Sequence, residues 1–275
     1  MSEKLRLAVL TPFEGKGWAL DRWLGALKAA ELPADTQLVW LCNSADDAFY
    51  QRLEAASHTM PWPVMLWRDS TKVTGPTVHT KDATVAYLWR ELRKRIPSEA
   101  SRVLTLEDDV LPSPGTVAAL FALAEEHGAD ITVAVTPVPC RVSGQSPDGA
   151  WVYRDGGTYH AERHGRSGRV DCATFGCMLY PRSLFDRLPL LVSADSLRPG
   201  YDNQAGRDTY RLGGQMIAGW EIHVEHMEHP PDRPATAHYA GAARETVRPQ
   251  ETQAQKIRRA RQPSYAQRAW RGQRP

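Results

Sequence analysis

Three consecutive carboxylates, Glu107, Asp108 and Asp109, follow directly on the apolar run Val103–Leu106. Adjacent acids repel one another, and a packed interior holds ionised carboxylates only when cations or hydrogen-bond donors pair them. Hard oxygen donors so grouped suit Mg2+ or Mn2+, and these cations suit a ligand that carries phosphates. A solvated acidic turn capping the next helix is the other reading of the same spacing. A second set of acids, Asp202 and Asp208, lies in GYDNQAGRDTYRLGG; one carboxylate there would be placed to take a proton from a hydroxyl. His223, His226 and His229 recur every three residues, with Glu225 and Glu228 between them. On a helix that would make a metal face. Gly219 before the segment, Pro230-Pro231 after it and the alternation of Ile222 with Val224 make it a short strand instead. On a strand His223 points away from His226, and only one of them joins a site.

The elements that must position these groups alternate in type. Leu5–Phe13, Gln37–Asn43, Pro63–Asp69, Val103–Leu106 and Ile131–Pro139 read as strands. Val103–Leu106 is a near-continuous apolar run, as a strand buried on both faces requires. Between them, Trp18–Ala30 has helical spacing at Leu20, Trp23, Leu24 and Leu27, and Ser44 or Asp46 stands where a helix cap would. Val85, Leu88, Trp89, Leu92 and Ile96 mark a longer helix that Pro97 stops. Ser113 and Pro114 fit the cap and first position of another, closed by Gly128. The order β-α-β-α predicts an α/β fold with a mostly parallel, doubly wound sheet flanked by helices. Ligands of such sheets bind outside the carboxyl ends of the strands, where the three acids stand. After Cys140 the pattern loosens. Residues 145–169, rich in glycine and polar side chains, read as a mobile insertion in which Trp151 and Tyr153 could stack on a sugar or base. Cys172–Pro181 returns to strand texture, Gly200–Gly214 suits a helix, and Gly219–His229 a strand. Trp23, Trp40 and Trp89 fall on apolar faces and read as core.

The 275 residues hold 34 Lys/Arg and 32 Asp/Glu, yet the charge is uneven. From Gly241 to Pro275 there are nine Lys/Arg and two acids, a net of +7, which leaves 25 bases and 30 acids, a net of −5, for the rest. No run is long and apolar enough to span a membrane. The N-terminal MSEKLRLAVL enters a strand at once, so the expectation is a cytoplasmic protein without a signal peptide. The four cysteines are irregularly spaced and read as core thiols. Residues 1–235 form the expected globular domain, and 236–275 a basic tail without amphipathic period.

The segment TLEDDVLPSPG resembles the acidic signature of GT-A-fold glycosyltransferases, in the Glu-Asp-Asp form of N-acetylglucosaminyltransferase-like members. GYDNQAGRDTYRLGGQMIAGWEIHVEH is similar to that family's second motif, Gly-x-Asp, then Gly, then a strand ending in His. The resemblance runs in element order over about residues 5 to 230, and these two motifs are its specific part. It implies a GT-A-like, Rossmann-related sheet, a domain over 1–235 with a nucleotide-binding half to about residue 112 and an acceptor half from about 113, and a divalent-metal-dependent transfer of sugar from a nucleotide-sugar donor to a hydroxyl. Asp109 would then be the direct metal ligand and His226 the second, with Glu107 and Asp108 near the ribose or metal-bound water. Thr11 and Pro12 at the end of the first strand, and Asn43 at the end of the second, would face the donor. Asn43 stands where many members carry a base-contacting aspartate, and a UDP-sugar is the favoured donor. Lys81-Asp82 replaces an Arg-Asn pair, and Lys81 would meet the diphosphate as a point charge. Tyr201-Asp202 replaces a Glu-Asp pair and leaves Asp202 as the base, with Asp208 as the alternative. In-line displacement assisted by a base inverts the anomeric centre.

The tail interleaves Arg258, Arg259 and Arg261 with Tyr265 and Trp270. Arginines neutralise phosphates and aromatic rings stack on bases, so the acceptor expected through the tail is nucleic acid, such as a hydroxylated base in modified viral DNA. A glycan or anionic lipid acceptor would use the same charge. Two rivals use the same residues differently: a metal-dependent hydrolase or nucleotidyltransferase, and a nucleic-acid-binding protein on a decayed transferase fold.

Overall fold

The computed structural model describes residues 6–73, 80–136, 150–154, 157–192 and 201–227. In chain order the elements are β1 (Leu7–Phe13), α1 (Leu20–Ala29), β2 (Gln37–Cys42), α2 (Asp47–Ser57), β3 (Val64–Arg68), α3 (Thr80–Arg93), β4 (Arg102–Leu106), β5 (Val110–Pro112), α4 (Thr116–His127), β6 (Ile131–Val135), β7 (Ala150–Arg154), β8 (Gly157–His160), β9 (Ser167–Val170), β10 (Cys172–Ala173), β11 (Cys177–Pro181), α5 (Arg182–Phe185), α6 (Tyr201–Arg211) and β12 (Met216–His226). The chain divides into two units, Met1–Val152 with His160–Glu228 and Tyr153–Tyr159 with His229–Pro275. The main sheet, its helices and the site below belong to the first. Of the second, the described residues are 153–154 and 157–159. The basic tail, with Arg258, Arg259, Arg261, Tyr265 and Trp270, lies outside the described residues. Among the described residues no helix is long and apolar enough to cross a membrane.

The main sheet runs β3-β2-β1-β4-β11-β6-β12-β5, with β9 also on β12. β1 is parallel to both β2 and β4, β3 to β2, and β6 to β12. β11 is antiparallel to β4 and to β6, a reversed strand between two parallel groups, and β5 and β9 run antiparallel to β12. A parallel strand must bury both faces, and β1 does so by alternation. Leu7 and Val9 pack with Trp23 and Leu27 of α1, Leu53 of α2 and Leu120 of α4. Ala8 and Leu10 pack on the opposite side with Leu88, Trp89 and Leu92 of α3. Trp23, Trp40 and Trp89 are fully buried, as their apolar faces predicted. Phe13 sits edge-on to Trp23 at 5.0 Å between ring centres, a geometry worth about 0.5–1.5 kcal/mol beyond burial. Cys42, Cys172 and Cys177 are buried thiols outside any disulfide, in line with their reading as core; Cys140 lies outside the described residues.

The helix after β2 is capped by Asp46, whose carboxylate accepts from the Ala48 amide at 2.9 Å. Three expectations are corrected. The helix after the acids starts later than Ser113-Pro114: Gly115, with φ 78°, takes the cap position, because Val110–Pro112 forms the strand β5 first. Gly128 does close that helix. The stretch 145–169 is not devoid of elements but carries β7, β8 and β9. β9 owes its form to pairing with β12, Val170 facing Met216, a contact that no local pattern announces. Finally, the last strand begins at Met216, ahead of Gly219, and a register shift between Gly219 and His223 bends it from β6 toward β5.

Candidate active site

The acid turn joins β4 to β5 at the carboxyl end of the parallel strands, and four other parts of the chain hold it. The Glu107 amide donates to Gly176 O before β11, at 3.1 Å. Trp23 Nε1 of α1 donates to Glu107 O at 2.9 Å. The Met227 amide donates to Asp109 O at 2.8 Å, and the Glu14 amide to Asp108 Oδ2 at 2.9 Å. A turn so anchored presents its carboxylates in fixed directions rather than to bulk water.

The pairing of β12 with β5 sets His226 opposite Val110, one residue from Asp109. His226 Nε2 stands 3.6 Å from Asp109 Oδ2, an ion-pair distance too long for a hydrogen bond. His226 thus joins the acids from a strand, as its alternation with Val224 predicted, and His223 is exposed. Lys16, which sequence reasoning passed over, lies between two carboxylates: its Nζ is 2.6 Å from Asp108 Oδ1 and 2.7 Å from Asp109 Oδ2. In the sequence it is a lysine between Gly15 and Gly17, just past the carboxyl end of β1, with nothing to set it apart from a solvated loop. Gly15 has φ 91°, and a Cβ there would meet Ser44 Oγ at 2.8 Å, so the loop can turn so tightly only at glycine.

These contacts divide the titration behaviour of the acids. Burial pushes Asp109 up, but His226 and Lys16 outweigh it and hold its carboxyl well below the usual range. Burial lifts Asp108 to about 6 against the Lys16 ammonium, so it remains ionised at neutral pH. Burial, then the Asp109 charge, lifts Glu107 to about 7. Burial lowers the proton affinity of His226, yet Asp109 and Glu107 more than reverse this. Lys16, disfavoured by burial, is held charged by Asp108 and Asp109.

Asp202 stands in the first turn of α6, half-buried, with Oδ1 accepting from the Phe175 amide at 3.4 Å. Burial and then the Glu107 charge raise it well above the ordinary carboxylate range. Its neighbour Tyr201 donates its hydroxyl hydrogen bond to Glu107 Oε1, which ties the α6 start to the acid turn. Asp208, the alternative base, is buried and takes its hydrogen bonds within α6, from Gln204 at 2.9 Å and Arg211 at 3.1 Å.

The remaining expected donor residues are placed as follows. Thr11 and Pro12 are buried inside β1, and Thr11 Oγ1 has no hydrogen-bond partner. Asn43 Nδ2 donates to Asp69 O and to Thr71 O, and its Oδ1 accepts from Lys72 Nζ at 2.6 Å. Its side chain therefore organises the loop after β3. Lys81 begins the second position of α3; its side chain lies outside the described residues, as does that of Tyr153. Trp151 is half-buried on β7.

Among the described residues no three His, Cys, Asp or Glu side chains converge as ligands. A divalent cation whose other ligands are water and substrate phosphates needs only one or two protein donors. Asp109 Oδ1 and His226 Nδ1 are both buried without a hydrogen-bond partner, and their side chains adjoin. An ionised carboxylate with one oxygen orphaned beside an imidazole fits such a cation.

No family model matches the chain. No curated protein matches it either. Among solved structures, the chain is similar to S. aureus TarS 1-349 in complex with UDP-GlcNAc, with a TM-score of 0.54 and 12% identity over 85% of this chain and 62% of that one. GalNAc-T7 with UDP, GalNAc and Mn2+ superposes with a TM-score of 0.60 and 14% identity over 82% and 44%. The mannosyltransferase PcManGT from Pyrobaculum calidifontis, in complex with GDP-Man and Mn2+, gives 0.55 and 12% over 82% and 57%. The chain spans less than two thirds of the length of each of these. The fold is that of the GT-A glycosyltransferases: a mostly parallel sheet flanked by helices, with the acid turn at the carboxyl end of β4.

Proposed function

We propose that this protein is a glycosyltransferase that uses a divalent metal, Mn2+ or Mg2+, to move a sugar from a nucleotide-sugar donor to a hydroxyl acceptor with inversion. The observation that carries the reading is the Asp109–His226 pair, with its orphaned carboxylate oxygen, at the end of β4. The solved neighbours support it by what they hold: UDP-GlcNAc in TarS, UDP and Mn2+ in GalNAc-T7, GDP-Man and Mn2+ in PcManGT. Asp109 and His226 would hold the metal. Bound there, the metal would stabilise the charge that gathers on the departing diphosphate. Asp108 and Glu107 would lie nearer the ribose or metal-bound water, and Thr11, Pro12 and Asn43 would shape the strand ends and loop against which the nucleoside lies. Lys81, at the start of α3, would approach the diphosphate.

Asp202 is the base. A carboxylate whose pKa is raised by burial and by Glu107 is a stronger proton acceptor than an exposed one, and general bases work best near the ambient pH. It takes the acceptor hydroxyl's proton as the oxygen attacks, on the face opposite the diphosphate. Asp208, held by Gln204 and Arg211, is the alternative base.

The acceptor reading rests on the composition of residues 236–275: a tail whose arginines and aromatic residues suit a nucleic acid, and so a hydroxylated base in DNA. Replacing Arg258, Arg259 and Arg261 with Ala should weaken binding to duplex DNA at low salt in a mobility-shift assay. Equal retention in the variant sets the DNA acceptor aside and favours a glycan.

The donor reading is tested by thermal shift with UDP, GDP, CDP and dTDP, each with Mn2+, Mg2+ or EDTA. A nucleotide at 100 times its Kd should add about 2.7 kcal/mol of stability. We expect the gain for one nucleotide, only with metal, and not in Asp109→Asn. A wild type that no nucleotide stabilises would end this reading.

A further inference from the structure

Lys16 places its side chain between the carboxylates of the acid turn. Its ammonium bridges Asp108 and Asp109 at 2.6 and 2.7 Å, and its side chain is 22% exposed against 4% and 13% for theirs. The backbone that carries it is pinned: the Gly17 amide donates to Gly15 O at 2.9 Å, the Ala19 amide to Lys16 O at 2.9 Å, and the neighbouring Glu14 amide to Asp108 itself. What is left to move is the four-carbon stem. Lys16 and His226 are the cations within ion-pair distance of Asp108 and Asp109 among the described residues; both act on Glu107 and Asp109 as well, and Glu14 adds its charge beside Lys16. Without the ammonium, adjacent carboxylates would confront each other in a largely dry turn, an arrangement that a protein does not hold unpaired.

We propose that Lys16 is the resident counter-ion of the acid turn, and that a divalent metal must displace its ammonium from Asp109 in order to bind. The inference rests on the reading that Asp109 and His226 take a metal. Asp109 Oδ2 is already shared by Lys16 and His226, and a doubly charged ion on the same carboxylate repels an ammonium 2.7 Å from it. The ammonium therefore opposes the bare metal. A diphosphate arriving with the metal removes the conflict, since its oxygens accept both the metal and the released ammonium. The lysine thus keeps the turn folded without metal and makes metal affinity depend on the nucleotide.

The test is a titration with Mn2+ alone, read from the electron paramagnetic resonance signal of the free ion, on wild type and Lys16→Met, each without nucleotide and with UDP or GDP. Removing an opposing charge should tighten Mn2+ without nucleotide about tenfold or more. A residue that merely supported the fold would, on removal, leave the affinity unchanged or lower it. Lys16→Arg, which keeps the charge, should bind as weakly as wild type. Lys16→Met with Asp108→Asn keeps the charge balance of the pair; it guards against a single variant that does not fold, and it too should bind Mn2+ more tightly than wild type. If wild type takes up Mn2+ with a nucleotide but neither neutral variant gains affinity, the counter-ion role is wrong and the proposed function stands. If the neutral variants gain affinity for Mn2+ but no protein's affinity responds to nucleotide, the counter-ion role stands and the donor reading falls. Absence of Mn2+ binding in every protein overturns both.

Discussion

The acid turn after β4 and the first turn of α6 each carry a half-buried carboxylate, and their fates are opposite. Asp109 has a lysine at 2.7 Å and a histidine at 3.6 Å, and it stays ionised far into acid. Among the described residues no cation is paired with Asp202; burial and Glu107 push its proton affinity up. Environments that drive two carboxylates apart assign them different work, one to hold a cation and the other to move a proton. Tyr201 joins the two regions by donating to Glu107, so the base and the metal side are mechanically linked while electrostatically distinct.

The largest expected effect breaks the base side alone. Asp202→Asn should lower kcat by about 10²–10⁴-fold, the range of general base catalysis, while the metal-dependent thermal shift of the nucleotide survives. Steady-state kinetics beside thermal shift reads both; loss of both together would mean that Asp202 belongs to the donor site. A smaller effect comes from moving α6 as a body. A Cβ at Gly206 would lie 2.7 Å from Asp171 O and 2.8 Å from Cys172 Cβ, so Gly206→Ala must lift the helix off β10. Overpacking of this kind costs about 1–3 kcal/mol, which thermal unfolding would show. Turnover should fall while Mn2+-dependent nucleotide binding is kept, since the acid turn is anchored elsewhere, by Trp23, Gly176 and Met227.

The smallest effect sharpens the electrostatic contrast. Asp202 must be deprotonated to act, so kcat should fall as pH drops through its raised pKa. The groups facing it are Glu107, Asp82, Tyr180, Tyr201 and Cys172. Of these, Glu107 is the largest charge acting on it, and Glu107→Gln removes the repulsion that opposes ionisation. The acid limb of kcat should then move to lower pH, by on the order of one unit. A limb that does not move would assign the base to another group, Asp208 first.

Most of the sheet was legible because its strands are apolar runs of the right length between amphipathic helices. β1, β2, β3, β4 and β6 and helices α1, α3 and α6 fall within a few residues of where periodicity put them. The elements that escaped are short or non-local. β5 has three residues, and β9 carries the polar sequence SGRV; both are strands only because β12 lies beside them. The acid motif and Asp202 were legible as residue types at strand and helix ends. Lys16 was not, since one lysine between two glycines looks like any solvated loop.

The sequence by itself determined where the chain extends and coils, which faces are apolar, and that three acids and a later aspartate stand at the ends of elements. Hydrophobic period and turn residues are local properties, and local properties survive without a fold. Only the tertiary structure decided what those acids meet. Lys16 reaches Asp108 and Asp109 across 92 and 93 positions of chain, and His226 arrives through the bend of β12 onto β5. Charge interactions depend on separation in space and on the water left between groups, and neither is written in the order of residues.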